Sequence, residues 1–147
     1  MQQAFAIPQL KPYLEKNPDS VVEVAVVLAN DPMIQGLNAS YRKQDKPTNV
    51  LSFPQEPLNP LEYVLPESVE GISMLGDIIL AYETIDKEAK EEGKTLTDHI
   101  HHLVIHGLLH LLGYDHEDND EAEIMENLEI QILQSQGIAN PYEELGA

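Results

Sequence analysis

Three histidines stand at spacings that can hold a metal ion. The stretch reads His106-Gly107-Leu108-Leu109-His110-Leu111-Leu112-Gly113-Tyr114-Asp115-His116. On an α-helix, residues i and i+4 share a face, so the imidazoles of His106 and His110 are aimed at one point. Gly113 then ends the helix, because glycine takes the left-handed conformation that helix termini often need. The chain turns back and brings His116 to the same point. Three histidines with one open position is the layout of a catalytic zinc site, whereas structural zinc is normally closed by four protein ligands. An isolated HxxxH pair would be read as a surface or core pair; Gly113 and His116 at their positions favour a metal site.

The spacing resembles the metzincin metalloprotease frame, with one departure. Those proteases carry Glu directly after the first histidine as general base, and here that position is Gly107. The expectation is a metal hydrolase that does not cut peptides by the usual route.

The helix around these histidines is delimited by local signals. Thr95 or Thr97 caps its start. Ile100, Leu103, Val104, Leu108 and Leu111 sit at core spacing, and His102 continues the histidine stripe. His99, His101 and His102 come too early for the site and are read as exposed or supporting residues. Asp118, with Glu121 three positions later, is a capping box for a last helix that carries Ile124, Leu128, Ile130, Ile132 and Leu133 and closes at Gly137. The tail beyond is polar and reads as frayed.

Upstream, a short helix is expected over 7–16 and a well-buried strand over 21–28, where the run Val21 to Leu28 is rich in β-branched residues. Asp31 caps a helix over about 32–42, with Pro32 at its first position. A strand follows at 48–53, with Val50 and Ser52 on one face and Leu51 and Phe53 on the other. Residues 54–71, with four prolines, read as a long loop. Ser73 to Ala81 is a strand beside 48–53, and 82–92 is a charged helix closed by Gly93. The order α-β-α-β-β-α-α-α lacks strict βαβ alternation. It predicts one α+β domain spanning 1–147, with a mixed sheet of three or four strands, about five helices and the histidine helix central.

Composition narrows the function. With no cysteine among 147 residues, thiolate ligands and disulfides are excluded and a metal is left to His and carboxylates. No apolar run reaches membrane-spanning length and no signal peptide is visible, so a cytoplasmic protein is expected. The net charge of −18 opposes non-specific binding to polyanions. A nucleic-acid role then needs a local basic patch, a metal, or a partner that delivers the substrate. Arg42, the one arginine, stands with Lys43 and Lys46 in a short basic cluster. Such a cluster is either a solvated loop or a phosphate contact.

Three stretches carry a resemblance to the YbeY family of bacterial endoribonucleases. They are 106–116; Tyr41-Arg42-Lys43-Gln44-Asp45-Lys46-Pro47-Thr48-Asn49-Val50-Leu51-Ser52-Phe53-Pro54; and Leu75-Gly76-Asp77-Ile78. They run in family order across most of the chain. The resemblance implies a zinc-dependent, single-strand-specific endoribonuclease acting in 16S rRNA 3′-end maturation, ribosome biogenesis and ribosome quality control. It implies small-subunit rRNA as substrate and contact with ribosomal proteins and the GTPase Era. No membrane and no DNA partner is expected. The negative charge departs from what an RNA enzyme needs and favours delivery of the substrate on the ribosome.

In that setting neutral His106, His110 and His116 leave the charge of one zinc ion uncompensated, so that it can hold a phosphate oxygen and acidify water. Histidine ligands also suit other divalent transition metals. Arg42 would stabilise transition-state charge through its planar fork of donors. Asp115 either orients a ligand or assists proton transfer, or is simply a turn carboxylate. Lys43 and Lys46 are candidates for RNA backbone phosphates. The rival readings are a non-catalytic ribosome-assembly factor stabilised by metal and, less favoured, a divergent metalloprotease.

Overall fold

The structure is a computed structural model and describes residues 8–16, 19, 21–42, 48–59, 62, 64–114 and 118–142, without the side chains of residues 8, 41 and 42. A 3-10 turn at Pro8–Leu10 leads into α1 (Lys11–Lys16). Then come β1 (Val21–Ala29), α2 (Asp31–Arg42), β2 (Val50–Pro54), β3 (Ile72–Ala81), α3 (Tyr82–Glu92), α4 (Leu96–Leu111) and α5 (Asn119–Ser135). This is the expected α+β order, with five α-helices and a three-stranded mixed sheet among the described residues.

The sheet order is β1-β3-β2, with β1 parallel to β3 and β2 antiparallel to it. The predicted facing of β2 holds. Leu51 and Phe53 join Ile34 and Leu37 of α2 on one side of the sheet, while Val50 packs into the larger core on the other. That larger core is where α4 lies: Leu103, Val104, Leu108 and Leu111 pack with Leu75, Ile78 and Leu80 of β3. Each fully buried leucine stabilises by about 1.5–3 kcal/mol relative to exposure, so this contact fixes the helix that carries His106 and His110. Tyr13 of α1 braces the far end of α4, its hydroxyl donating to the Leu112 carbonyl at 3.4 Å.

β1 corrects the expectation of a well-buried strand. It pairs on one side only among the described residues, and Val26 and Leu28 are 44% and 61% exposed. A continuous apolar run does not distinguish a central strand from an edge strand, because pairing is decided by distant segments. The cap of α2 also differs: Asn30 Oδ1 accepts from the Met33 N–H at 2.9 Å. Asp31 instead accepts from the Thr84 hydroxyl at 2.8 Å, tying α2 to α3.

Gly76 explains the Leu75-Gly76-Asp77-Ile78 stretch physically. The β1–β3 register passes from Glu23↔Met74 to Val24↔Gly76. Leu75 is thus the extra residue of a β-bulge. Gly76 has φ +145°, and a Cβ there would lie 2.2 Å from the Phe53 carbonyl oxygen. Only glycine lets β2 approach at that point.

Candidate metal site on the histidine helix

Local sequence sets both ends of α4. Thr95 is its cap, accepting from the Asp98 N–H at 3.1 Å. At the other end Gly113 takes φ +102°, and the Tyr114 N–H returns to the Leu109 carbonyl at 3.0 Å. The same turn aims the Tyr114 carbonyl oxygen at His110, 3.0 Å from its Nδ1.

His106 and His110 come together as the spacing predicts, with their Nε2 atoms 3.1 Å apart and their rings nearly perpendicular. The proton positions follow from the partners. His110 Nδ1 faces a carbonyl oxygen, and His106 Nδ1 faces the carboxylate of Glu129. Both partners only accept, so both Nδ1 atoms carry the proton and donate. In the neutral rings both Nε2 atoms then bear lone pairs. Two such nitrogens so close together fit a cation between them. A tetrahedral zinc with bonds of about 2.0–2.1 Å would hold two ligand atoms about 3.3 Å apart. The donor set therefore fits a divalent transition metal.

Among the described residues no group of three His, Asp or Glu side chains forms a complete metal cage. The third histidine of the sequence frame, His116, lies outside the described residues, as do Asp115, Lys43 and Lys46. Arg42 is the last residue of α2, and its side chain too lies outside them. Asn49, just beyond the basic cluster, is anchored: its Nδ2 donates to Glu88 at 3.1 Å, and its carbonyl accepts from the Ala81 N–H at 2.9 Å. Glu88 also meets His99 Nε2 at 3.0 Å. His99 is thus buried, a support between α3 and α4 rather than an exposed residue.

The structure adds residues that sequence reasoning missed. Glu129 on α5 is fully buried and receives His106 Nδ1–H and the Tyr142 hydroxyl. His102 Nε2 stands 3.3 Å from the Tyr142 oxygen and 3.6 Å from Glu129 Oε2. Burial by itself would raise the Glu129 carboxyl. The hydrogen bonds from His102 and His106, the charge on His106 and the Tyr142 hydrogen bond outweigh it and hold the group at about 2. Burial and the neighbouring Glu129 carboxylate push the Tyr142 hydroxyl up, so it stays protonated and donates. One signal for Glu129 was present. It lies at i+4 from Met125 and precedes Ile132 by three, on the buried face of α5. Ile124, expected in the core, is 56% exposed and Met125 is buried beside it, while Leu128, Ile132 and Leu133 join the core as expected.

Gly107 also gains a structural reason. A Cβ there would be 3.0 Å from both Ser52 Oγ and Ile78 Cγ2. The position that holds the metzincin base faces the sheet, away from the histidine pair.

The class defined so far is a single α+β domain with a mixed sheet, whose central helix presents a histidine pair fitted to a divalent metal. The family model for endoribonuclease YbeY matches residues 4–137. An endoribonuclease YbeY of Paramagnetospirillum magneticum is 52% identical over 86% of this chain and 75% of its own length. One from Francisella tularensis subsp. novicida is 48% identical over 88% of this chain and 77% of its own length. A solution structure from Thermotoga maritima shares 27% identity over 92% of this chain and 87% of that one, with a TM-score of 0.47. The chain belongs to the YbeY family of endoribonucleases. No helix of the described residues is long and apolar enough to cross a membrane.

Proposed function

We propose that the protein is a zinc-dependent endoribonuclease that hydrolyses single-stranded RNA in 16S rRNA 3′-end maturation and ribosome quality control. What carries the reading is the pair of Nε2 atoms 3.1 Å apart on α4, each freed of its proton by an acceptor at Nδ1, in a chain of the YbeY family. His106 and His110, with His116, would hold the metal. Bound there, zinc supplies Lewis-acid charge against a phosphate oxygen.

The chain's own residues do the rest. Neutral ligands leave the metal's charge undiminished, since no carboxylate is among them. Arg42 stabilises the charge that builds on the phosphoryl oxygens, and Lys43 and Lys46 hold neighbouring phosphates. Asp115 orients His116 or assists a proton transfer. Gly107, packed on the sheet, keeps the protease base out of the site. With a net charge of −18 the free protein attracts RNA poorly, so the substrate is presented on the small subunit, with ribosomal proteins and Era as partners, in the cytoplasm.

The test is cleavage of a single-stranded RNA by metal-stripped protein reloaded with zinc, beside Arg42→Ala and His110→Ala. Wild-type cleavage with both variants folded and inactive is the expected result. Three equally inactive proteins on naked RNA would favour a non-catalytic assembly factor or an enzyme active only on the ribosome. Undiminished cleavage by both variants would remove the mechanism.

A further inference from the structure

Glu129 is a carboxylate with a fully buried side chain, and its partners among the described residues are two histidines and a tyrosine. Burying a charge without a permanent cation is costly, which asks what the placement achieves. Its hydrogen bonds run one way. The Tyr142 hydroxyl donates to Glu129, so its oxygen is left to accept from His102 Nε2–H, 3.3 Å away. His106 Nδ1–H donates to the other carboxylate oxygen. A carboxylate offers only acceptors, so the His106 proton has no alternative seat while Glu129 is in place.

Tyr142 is itself held. Lys94 Nζ donates to the Pro141 carbonyl at 3.2 Å, the Tyr142 N–H donates to Asn140 Oδ1 at 2.8 Å, and the Tyr142 ring stands edge-on to His102 at 5.4 Å. Residues 140–142 are thus docked on the back of the histidine stripe, while the rest of the tail, expected to fray, lies outside the described residues.

We infer that Glu129 is a positioning residue: as the shared acceptor of the Tyr142 hydroxyl and the His106 ring N–H, it fixes the His106 proton on Nδ1 and keeps Nε2 available to a divalent cation. This rests on the metal reading above. It makes a specific prediction for glutamine at 129, which presents one acceptor and one donor in place of two acceptors. Tyr142 O–H claims the acceptor, the amide N–H2 then faces His106 Nδ1, and the ring proton is driven to Nε2, where the metal must bind. Removing the tyrosine hydroxyl lets the amide turn over, with His102 moving its proton to Nδ1, which has no other partner among the described residues, so that its Nε2 accepts from the amide.

The experiment measures zinc affinity of the full chain by chelator competition. Glu129→Gln should lose roughly 10–100-fold, the usual cost of altering a ligand's supporting partner. Tyr142→Phe alone should stay within about threefold of wild type, because the carboxylate still offers only acceptors. Glu129→Gln combined with Tyr142→Phe should regain most of the loss, a pattern that a generally weakened fold would not produce. Glu88→Gln, which alters the other carboxylate–histidine pair, between α3 and His99 of α4, should bind zinc as wild type does. Wild-type affinity in Glu129→Gln, no recovery in the double variant, or an equal loss in Glu88→Gln would each overturn the inference. Should Glu129→Gln not fold, nitrogen NMR of metal-free wild type in alkaline solution decides: the His106 Nδ1–H form is expected, and the Nε2–H form overturns the assignment. A wild-type chain with the Nδ1–H form that takes up no zinc removes the metal reading, and the role of Glu129 with it, while the proton assignment stands.

Discussion

The hydroxyl of Ser52 on β2 donates to the carbonyl of Gly107 on α4 at 3.4 Å, and the same oxygen would lie 3.0 Å from a Cβ on Gly107. This contact sets how closely the histidine helix lies on the sheet. It also fixes what the helix can carry at the position after its first histidine. Alanine at 107 gains about 1 kcal/mol of helix propensity and loses about 1–3 kcal/mol to overpacking against Ser52 and Ile78. Gly107→Ala should therefore be destabilised by about 1 kcal/mol in denaturant unfolding. Gly107→Glu, which restores the metzincin base by type, has no room for its side chain and buries a charge against Ile78. It should unfold or lose more than about 3 kcal/mol, and should digest no casein. A folded, peptidase-active Gly107→Glu would show that the helix can lift from the sheet.

Gly76 makes a sharper case. Its φ of +145° and the Phe53 carbonyl oxygen 2.2 Å from a virtual Cβ leave no side chain a place without moving β2. Gly76→Ala should cost about 3 kcal/mol or more and lower the melting temperature accordingly. Gly36, where nothing lies within 4 Å of a virtual Cβ, is the control; inside α2, Gly36→Ala should stabilise by up to about 1 kcal/mol. Equal effects at the two positions would contradict the packing described.

These two glycines show where sequence reading ends. The starts of α4 and α5 and the ends of α3 and α4 were legible because their determinants are local: Thr95 and Asp118 accept from N–H groups three residues on, and Gly93 and Gly113 take positive φ. The histidine pair was legible because helix geometry alone brings i and i+4 together. Glu129 was not, because Asp120, Glu121, Glu123 and Glu126 precede it and a run of acids reads as a solvated face. Which acid is buried depends on how α5 approaches α4. The exposed face of β1 and the docking of Tyr142 are likewise decided by contacts far along the chain. The bulge at Leu75 leaves no trace in composition, though Gly76 marks it once the strands are placed.

Acid stability offers a direct check on Glu129. Its carboxyl titrates at about 2 in the folded metal-free protein, against the ordinary 4.5. The folded pKa is lowered, so the stabilisation is fully present above pH 4.5 and is lost as pH falls toward 2. The difference corresponds to roughly 3 kcal/mol at most. Other carboxylates contribute to acid unfolding, so the comparison is with Glu129→Gln. Across that window wild type should lose stability more steeply than the variant, in denaturant titrations at successive pH values. Parallel slopes would mean that the carboxylate is not held ionised by His102, His106 and Tyr142.

The role proposed for Arg42 predicts more than loss of activity. Arginine presents a planar fork that can donate two bonds to one phosphoryl group, whereas lysine is a point charge on a flexible stem. If Arg42 stabilises charge that develops during cleavage, Arg42→Lys should keep RNA binding and lose most of the rate. A drop of about 10²–10³-fold in kcat is expected from the cost of removing one charge-stabilising donor, with KM nearly unchanged. If the arginine serves only to hold RNA, the lysine variant should keep kcat and shift KM by a few-fold at most. His110→Ala completes the comparison. It forfeits the bond to the Tyr114 carbonyl, worth about 1 kcal/mol, so circular dichroism should report an intact fold while zinc binding and cleavage are both lost. Unfolding of His110→Ala together with wild-type kcat in Arg42→Lys would instead describe a chain whose metal serves its structure and whose arginine only docks the RNA.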